Sequence, residues 1–211
     1  MESAANGTTR IIFTGGGTAG HVTPNIALME PLLREGWDVH YIGSQSGIEN
    51  DLIAGIDGVT YHGISTGKLR RYFSWQNFID PFRVVKGYFQ ARKLIHNLKP
   101  DVIFSKGGFV SVPVVLAAGK VPVVAHESDY SPGLSNRIAA RFTDTVCVSF
   151  EDTLPHVPHG KGIFTGTPIR PALYEGSRER ALAFAGLSGT KPVLLVMGGS
   201  QASTSVNELA R

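Results

Sequence analysis

Short apolar runs rich in β-branched residues recur along this chain, and a segment compatible with a helix follows most of them. Strands are expected over 10–14, 38–43, 59–64, 101–105, 121–125 and 145–148, with a weaker run at 162–165. Helices are expected over 24–34, 75–98, 112–118 and 133–141. Strands that alternate with helices usually form a parallel sheet covered by helices on its faces. The sequence therefore predicts an α/β fold with a Rossmann-like, doubly wound parallel sheet.

The character of the sequence changes after GTPIRP at 166–171. SRERALAFAGL predicts a short polar helix, and the apolar run at 193–197 then predicts a buried strand followed by a turn and a helix. One strand and one helix cannot bury their own apolar faces. We therefore expect an N-terminal domain over 9–165, and over 166–211 a linker and the truncated start of a second Rossmann-like domain of a longer protein.

Composition narrows the class of protein. Cys147 is the only cysteine, so neither an internal disulfide nor a cysteine-based metal cluster is expected, and the seven histidines include no H-x-x-x-H pair. The N-terminus lacks the charged and apolar regions of a secretory signal. No run approaches the roughly 18 apolar residues of a membrane-spanning helix. These features favour a cytoplasmic protein without a metal site.

The positive charge is concentrated in one window. The chain carries a net charge of +3, yet residues 67–93 hold seven cations against one anion, together with seven of the 19 aromatic residues. Cations attract anionic lipid headgroups, and amphipathic aromatic side chains favour the membrane interface. Without a recognised nucleic-acid motif, nucleic acid is the weaker partner. The alternative is one long helix over 75–98 whose apolar face belongs to the core.

Glycine turns follow three of the predicted strands, at Gly15–Gly20, Gly107–Gly108 and Gly198–Gly199. Glycine lets the backbone approach a ligand closely, and the N–H groups at the start of the following helix attract anions. In an open α/β sheet such turns lie at the carboxyl ends of the strands, where ligands bind. The three turns predict binding of a phosphorylated ligand.

The first turn also satisfies G-x-G-x-x-G through Gly15, Gly17 and Gly20, which is the pattern of a dinucleotide-binding turn. An NAD(P) site would place an acid at the end of the second strand to hold the ribose hydroxyls. That strand ends in HYIGSQSG, with no acid before Glu49. An NAD(P)-binding oxidoreductase is therefore the weaker alternative, and a non-catalytic module that binds a nucleotide sugar or phosphate stays open.

Five motifs share their order and spacing with a known family: GGGTAGHVTPNIAL, KGGFVSVP, HESDYSPGLSNR, TGTPIRP and GGSQAS. With these motifs the chain resembles the peptidoglycan N-acetylglucosaminyltransferases of glycosyltransferase family 28, from about residue 9 to the end. The resemblance implies a GT-B enzyme whose N-terminal domain takes the lipid-linked acceptor and whose C-terminal domain takes most of UDP-GlcNAc. It further implies inverting transfer of GlcNAc to the MurNAc C4 hydroxyl of lipid I, giving lipid II, without a cofactor or bound metal.

Three residues are candidates for catalysis. His21 follows the first glycine turn, where it would act as a base or pair with a phosphate, or simply bond to the backbone. Glu127 resembles an acidic family residue on the acceptor side, and Asp129 stands where the family often has Asn. Both are candidates for a base or for sugar contacts, with capping of the helix that follows as the alternative.

The resemblance also implies substrate contacts. Thr18, Ala19 and Gly20 would lie close to the sugar nucleotide, Arg170 would reach the donor nucleotide, and Ser200 would contact the donor diphosphate. Ala19 and Phe109 depart from the usual Gly and Tyr of the family, and Phe109 lacks the hydroxyl. The second turn adds Lys106, Gly107, Gly108 and Phe109, of which Lys106 is either a phosphate partner or a solvated lysine.

The basic aromatic window resembles the membrane-docking side of the family's N-terminal domain. The residues expected to contact the anionic inner leaflet are Leu69, Arg70, Arg71, Tyr72, Phe73 and Trp75. This implies a peripheral location on the cytoplasmic face of the plasma membrane.

Overall fold

A seven-stranded, all-parallel sheet forms the centre of the protein in the computed structural model, which describes residues 8–67, 76–196 and 208. The strand order is β3-β2-β1-β4-β5-β6-β7. The doubly wound α/β fold predicted from the sequence is confirmed. The strands are β1 (Arg10–Thr14), β2 (Asp38–Ser44), β3 (Val59–Ile64), β4 (Val102–Ser105), β5 (Val123–Glu127), β6 (Thr145–Val148) and β7 (Gly162–Phe164).

Helices connect most of the strands, and one helix follows the last strand. They are α1 (Thr23–Arg34), α2 (Ile48–Ile53), α3 (Gln76–Leu98), α4 (Ser111–Ala117), α5 (Leu134–Ala139) and α6 (Arg178–Ala185). Short 3₁₀ segments cover Ala19–His21, Glu151–His156 and Pro171–Glu175. None of the helices in the described part of the chain is both long enough and apolar enough to span a bilayer. The short helix α2 was not predicted from the sequence.

The apolar core lies on both faces of the sheet because successive strand residues point to opposite sides. Ile12 packs on one face with Ala91 and Ile95 of α3 and Val114 of α4. Its neighbours Ile11 and Phe13 pack on the other face in a separate cluster that includes Met29 of α1 and Ile53 of α2. Two buried layers therefore fix the sheet and hold the loops at its carboxyl edge.

Several predicted boundaries differ from those observed by one or two residues. β5 begins at Val123 rather than residue 121, because Val123 pairs with Ile103 of β4 and the preceding Pro122 has no N–H to donate. α1 begins at Thr23, one residue before its predicted start, and the Thr23 hydroxyl donates to the Ala19 carbonyl at 3.1 Å. The helix continues through Pro31 to Arg34, its predicted end.

The chain divides into two compact units, Met1–Pro168 and Ile169–Arg211. The first contains the whole sheet. In the second, residues 192–196 form no strand, contrary to the sequence prediction, and they are exposed. A strand needs a neighbour for its backbone hydrogen bonds, and within the described residues no strand pairs with this segment. The predicted roles of 9–165 and 166–211 stay predictions.

Candidate functional site

The strand order reverses between β1 and β4, which places a crevice at the carboxyl ends of these two strands. The first glycine turn leaves β1 and the second leaves β4, while β5 ends beside them at Glu127. Four charged or titratable residues interact electrostatically there, and we call them the switch-point cluster: His21, Lys106, Glu127 and Asp129. The structure therefore brings together all three predicted catalytic candidates and Lys106.

The two glycine turns touch each other. Gly108 has a φ of +80°, a conformation that favours glycine, and a Cβ at this position would overlap the carbonyl oxygen of Gly16. The same Cβ would lie 3.3 Å from Nδ1 of His21. From below, the Tyr41 hydroxyl donates to the Gly15 carbonyl at 2.9 Å. The first turn is thus supported by β2 and closed by the second turn.

His21 ends the 3₁₀ segment of the first turn and is half-buried. Its Nδ1 lies 3.0 Å from the Thr18 hydroxyl, and no hydrogen bond to its Nε2 is found among the described residues. Burial lowers the pKa of His21 below 6.5, and the charge of Lys106 lowers it further, against the opposite effects of Glu127 and Asp129. The ring is therefore mainly neutral at pH 7 and able to accept a proton.

Lys106 is almost completely buried, with 1% of its surface exposed. In the described part of the chain its ammonium has no hydrogen bond or salt bridge. Burial lowers the pKa of Lys106, whereas the charges of Glu127 and Asp129 oppose that shift. Of the two interpretations from the sequence, a solvated lysine is wrong. A buried, unbonded cation beside two glycine turns is suited to an anionic ligand.

Glu127 is buried at the end of β5, and three donors from the following loop and from α5 occupy its carboxylate. Oε1 accepts the Asp129 N–H at 2.9 Å, and Oε2 accepts the Gly133 N–H at 3.3 Å and the Asn136 amide at 2.8 Å. Gly133 is the residue that caps α5. Glu127 thus anchors the start of α5, but it accepts no main-chain N–H of the helix itself. Asp129 is exposed, and only its backbone takes part in the hydrogen bonds found here.

The other predicted contacts are placed as follows. Ala19 and Gly20 lie in the 3₁₀ segment that ends at His21, and Gly107 packs so closely on the Asn136 side chain that a Cβ there would collide with it. Phe109 is half-buried in the second turn. Arg170 is exposed in the second unit. Ser200 and the membrane residues 69–75 lie outside the described residues.

Three residues near the crevice were not singled out from the sequence. Asn136 bonds Glu127, and Glu49 accepts the Gly17 N–H at 3.1 Å. His126 is buried, its Nε2 donates to the Gly166 carbonyl at 2.9 Å, and its Nδ1 has no partner among the described residues. The motif HESDYSPGLSNR contains His126 and Asn136, so its polar residues were the available signal. Glu49 had none, because Gly17, its partner in the glycine turn, lies 32 residues away in the sequence.

A metal site can be sought directly in the geometry. Over residues 8–67 and 76–196, no group of three or more His, Cys, Asp or Glu side chains is arranged to hold a metal ion.

Comparison with known proteins agrees with the motifs. The sequence profile of the glycosyltransferase family 28 N-terminal domain matches residues 11–148. A UDP-N-acetylglucosamine--N-acetylmuramyl-(pentapeptide) pyrophosphoryl-undecaprenol N-acetylglucosamine transferase from Lachnoclostridium phytofermentans is 54% identical over 204 residues. The protein of the same name from Oceanobacillus iheyensis is 53% identical over 204 residues. Each alignment covers 96% of this chain and 57% of the relative.

The crystal structure of Acinetobacter baumannii MurG is similar in fold as well as in sequence. It superposes with a TM-score of 0.64 at 27% identity, covering 77% of this chain and 46% of the other. The chain thus spans little more than half the length of the curated relatives it matches. Because the family profile matches well over half of its residues, the chain belongs to glycosyltransferase family 28.

Proposed function

We propose that the protein transfers GlcNAc from UDP-GlcNAc to the MurNAc C4 hydroxyl of lipid I, with inversion, to make lipid II. The names of the 52–54% identical relatives describe a UDP-N-acetylglucosamine--N-acetylmuramyl-(pentapeptide) pyrophosphoryl-undecaprenol N-acetylglucosamine transferase, and the family match supports the proposal. Residues 166–211 would then begin the domain that takes most of the donor, which the remainder of a full-length protein would complete.

The observation that carries the proposal is the neutral His21 beside the buried, unbonded Lys106 at the switch point. Attack by a sugar hydroxyl needs a base for its proton, and a pKa below 6.5 leaves the His21 ring ready to accept one at neutral pH. Lys106 supplies a positive charge for a phosphate of the lipid-linked acceptor. Glu127 is the weaker base, since its carboxylate already accepts three hydrogen bonds.

Release of UDP tests the reaction. Full-length protein given UDP-GlcNAc and a lipid I analogue is expected to release UDP and form the disaccharide product. His21→Gln should reduce kcat by about 100–10,000-fold, the usual contribution of a positioned acid or base, with little change in the KM for UDP-GlcNAc. Addition of EDTA should leave the rate unchanged.

The same assay can contradict the proposal. If the full-length protein released no UDP over a series of enzyme concentrations and bound NAD(H) saturably, the oxidoreductase alternative would be favoured. Full activity of His21→Gln would instead transfer the role of base to Asp129, the exposed carboxylate of the switch-point cluster.

We also propose that the enzyme docks on the anionic cytoplasmic face of the plasma membrane. Beyond residues 69–75, α3 exposes three apolar side chains on one stripe with i, i+3 and i+7 spacing: Phe82, Val85 and Phe89, which are 76%, 54% and 64% exposed. The neighbouring Lys86 and Lys93 are exposed as well. The stripe thus combines apolar and basic residues, as interfacial helices do.

Vesicle binding tests the docking. Phosphatidylglycerol vesicles should retain the protein at low salt, and Phe82→Ser with Phe89→Ser, or reversal of charge at Arg70 and Arg71, should weaken the retention. Phe184→Ser is the matched control, since this exposed phenylalanine lies on α6 in the second unit. Equal retention of all variants would contradict the proposed surface.

A further inference from the structure

Glu49 is completely buried, and its carboxylate reaches the first glycine turn from a different segment of the chain. It lies in the first turn of α2 and has no exposed surface. Its Oε2 accepts the Gly17 N–H at 3.1 Å, while Oε1 accepts the Ser44 N–H at 2.9 Å and the Ser44 hydroxyl at 2.5 Å. Within the described residues no salt bridge reaches this carboxylate. Its charge is therefore stabilised by hydrogen-bond donors alone.

Three glycines from three segments make the space that this carboxylate fills. A Cβ at Gly16 would lie 2.5 Å from Cδ of Glu49, and a Cβ at Gly43 would lie 2.9 Å from its Cγ. A Cβ at Gly47 would collide with Oε1. The glycine turn, the end of β2 and the start of α2 thus all lack side chains where they meet Glu49. Such a fit indicates a built binding place for one carboxylate.

In phosphate-binding turns the backbone N–H groups after the strand are the donors that meet the phosphate. Here the Gly17 N–H is already bonded to an anion that belongs to the protein. We propose that Glu49 is the resident anion of the first glycine turn and acts as a positioning residue for His21. The Gly17 N–H is then closed to a substrate phosphate, which must use other donors of the crevice.

The path from Glu49 to His21 is short. Glu49 bonds Gly17 and packs against Gly16, and the backbone of Gly16 lies close enough to the His21 ring to raise its pKa. The Thr18 hydroxyl, one residue beyond Gly17, lies 3.0 Å from Nδ1 of the same ring. Gly16 and Thr18, which both act on the imidazole, therefore belong to the segment that Glu49 holds. The consequence for catalysis rests on the proposed function, whereas the consequence for the turn does not.

The test compares Glu49→Ala and Glu49→Gln with wild type in this chain, using Glu30→Gln as a control. Glu30 is an exposed partner of Arg34 on α1 and lies outside the turn. NMR follows the exchange of the Gly17 amide and the titration of the His21 ring. In Glu49→Ala we expect faster Gly17 exchange and an upward shift of the His21 pKa, because a looser turn reduces the burial that lowers it. The facing charges of Lys106, Glu127 and Asp129 are the same in every variant.

Glu49→Gln keeps one acceptor oxygen and should show a smaller change in both signals, while Glu30→Gln should match wild type. Inorganic pyrophosphate tests whether the Gly17 N–H is closed to a phosphate. It should leave the Gly17 amide signal of wild type unshifted, and it should shift that signal saturably in Glu49→Ala. Ser44→Ala, which keeps the carboxylate and removes one donor, should change the His21 titration in the same direction. It serves as the second variant if Glu49→Ala does not fold.

The proposal is overturned if folded Glu49→Ala, or Ser44→Ala in its place, shows the wild-type Gly17 exchange and the wild-type His21 titration. It is also overturned if pyrophosphate shifts the Gly17 amide of wild type. In the full-length enzyme, Glu49→Ala should lower kcat about 10–100-fold with the KM for UDP-GlcNAc unchanged, as expected for a misplaced catalytic group. Altered NMR signals without any glycosyl transfer in wild type would refute the proposed function and leave the role of Glu49 intact.

Discussion

The two buried charged residues of the switch-point cluster, Glu127 and Lys106, differ in their hydrogen bonding. The carboxylate of Glu127 accepts three hydrogen bonds, whereas the ammonium of Lys106 has no hydrogen bond among the described residues. A buried ion without a bonded partner lowers the stability of the folded state. Lys106 therefore destabilises the protein unless a ligand pairs with it, and its presence is better explained by binding than by folding.

Lys106→Met should consequently increase the free energy of unfolding, by about 1 kcal/mol, because an apolar chain of similar length replaces an unpaired buried charge. Burial lowers the pKa of Lys106 in the folded state, so the unfolded state binds more protons between that value and 10.5. Wild-type stability should accordingly rise with pH across this window, and the variant should lack the rise. Urea denaturation at several pH values measures both effects.

Lys161→Met is the matched control for this substitution. The Lys161 ammonium donates to the backbone carbonyls of Ala140, Arg141 and Thr143, the last at 2.6 Å. Its loss should destabilise the protein by about 1–2 kcal/mol, since partly buried carbonyl groups lose their charged donor. If Lys106→Met destabilised the protein as Lys161→Met does, the interpretation of Lys106 as an unpaired ligand-binding cation would be wrong.

At the scale of elements, β1, β2 and α1 form a brace below the first glycine turn. The Tyr41 hydroxyl donates to Gly15 and accepts from the Asn25 amide at 3.3 Å, and both Tyr41 and Asn25 are fully buried. The hydrogen-bonded groups of the brace come from different elements, since Tyr41 belongs to β2 and Asn25 to α1. The turn is therefore held by packing of whole elements and not by its own residues alone.

Tyr41→Phe should destabilise the protein by about 1–3 kcal/mol, because it leaves the buried Gly15 carbonyl without its donor and the Asn25 amide with one acceptor fewer. Tyr174→Phe, at a tyrosine that is 77% exposed, should have an effect within about 0.5 kcal/mol. Thermal or urea denaturation of the two variants measures the difference. Equal stability of both would show that the brace contributes nothing measurable.

The elements that sequence predicted well are those whose pattern is local. β1 and β3 have their predicted bounds because their apolar runs are flanked by residues that stop a strand. The start of β5 depends on pairing with β4, and the six-residue α2 starts after Gly47 without a side-chain cap, so neither leaves a clear local signal. Where the register or a cap comes from another segment, the sequence pattern cannot locate the boundary.

The same distinction holds for the candidate site. His21 follows the first glycine turn and Lys106 immediately precedes the second, so the sequence placed both residues at the carboxyl ends of strands. The role of Glu49 depends on contacts with Gly16 and Gly17, more than 30 residues earlier, and on space at Gly43. The hydrophobic periodicity of the sequence carries no signal for these contacts. The sequence therefore predicted which glycine turns lie at this edge of the sheet, but not that Glu49 packs into the first of them.

At the scale of the whole molecule, the described parts of the two units differ in how many residues they bury. The first contains every residue of the apolar core clusters, including fully buried Ile12 and Phe13. In the second unit, residues 169–196 include no buried residue, and Phe184 and Leu194 are 96% and 87% exposed. Because helices of about eight residues are marginal without tertiary packing, the stability of this chain resides in its first unit.

Hydrogen exchange should reveal this difference directly. Amides of β1 and β4 should exchange only through global unfolding, at rates at least about a thousandfold below those of α6, whose backbone hydrogen bonds lie on an exposed helix. The internal control is α5, which is shorter than α6 but buries Ser135 and Ala139 and should be protected. If α6 were protected as strongly as β1, residues 178–185 would have to be packed against other parts of the chain, and the assignment of stability to the first unit alone would be wrong.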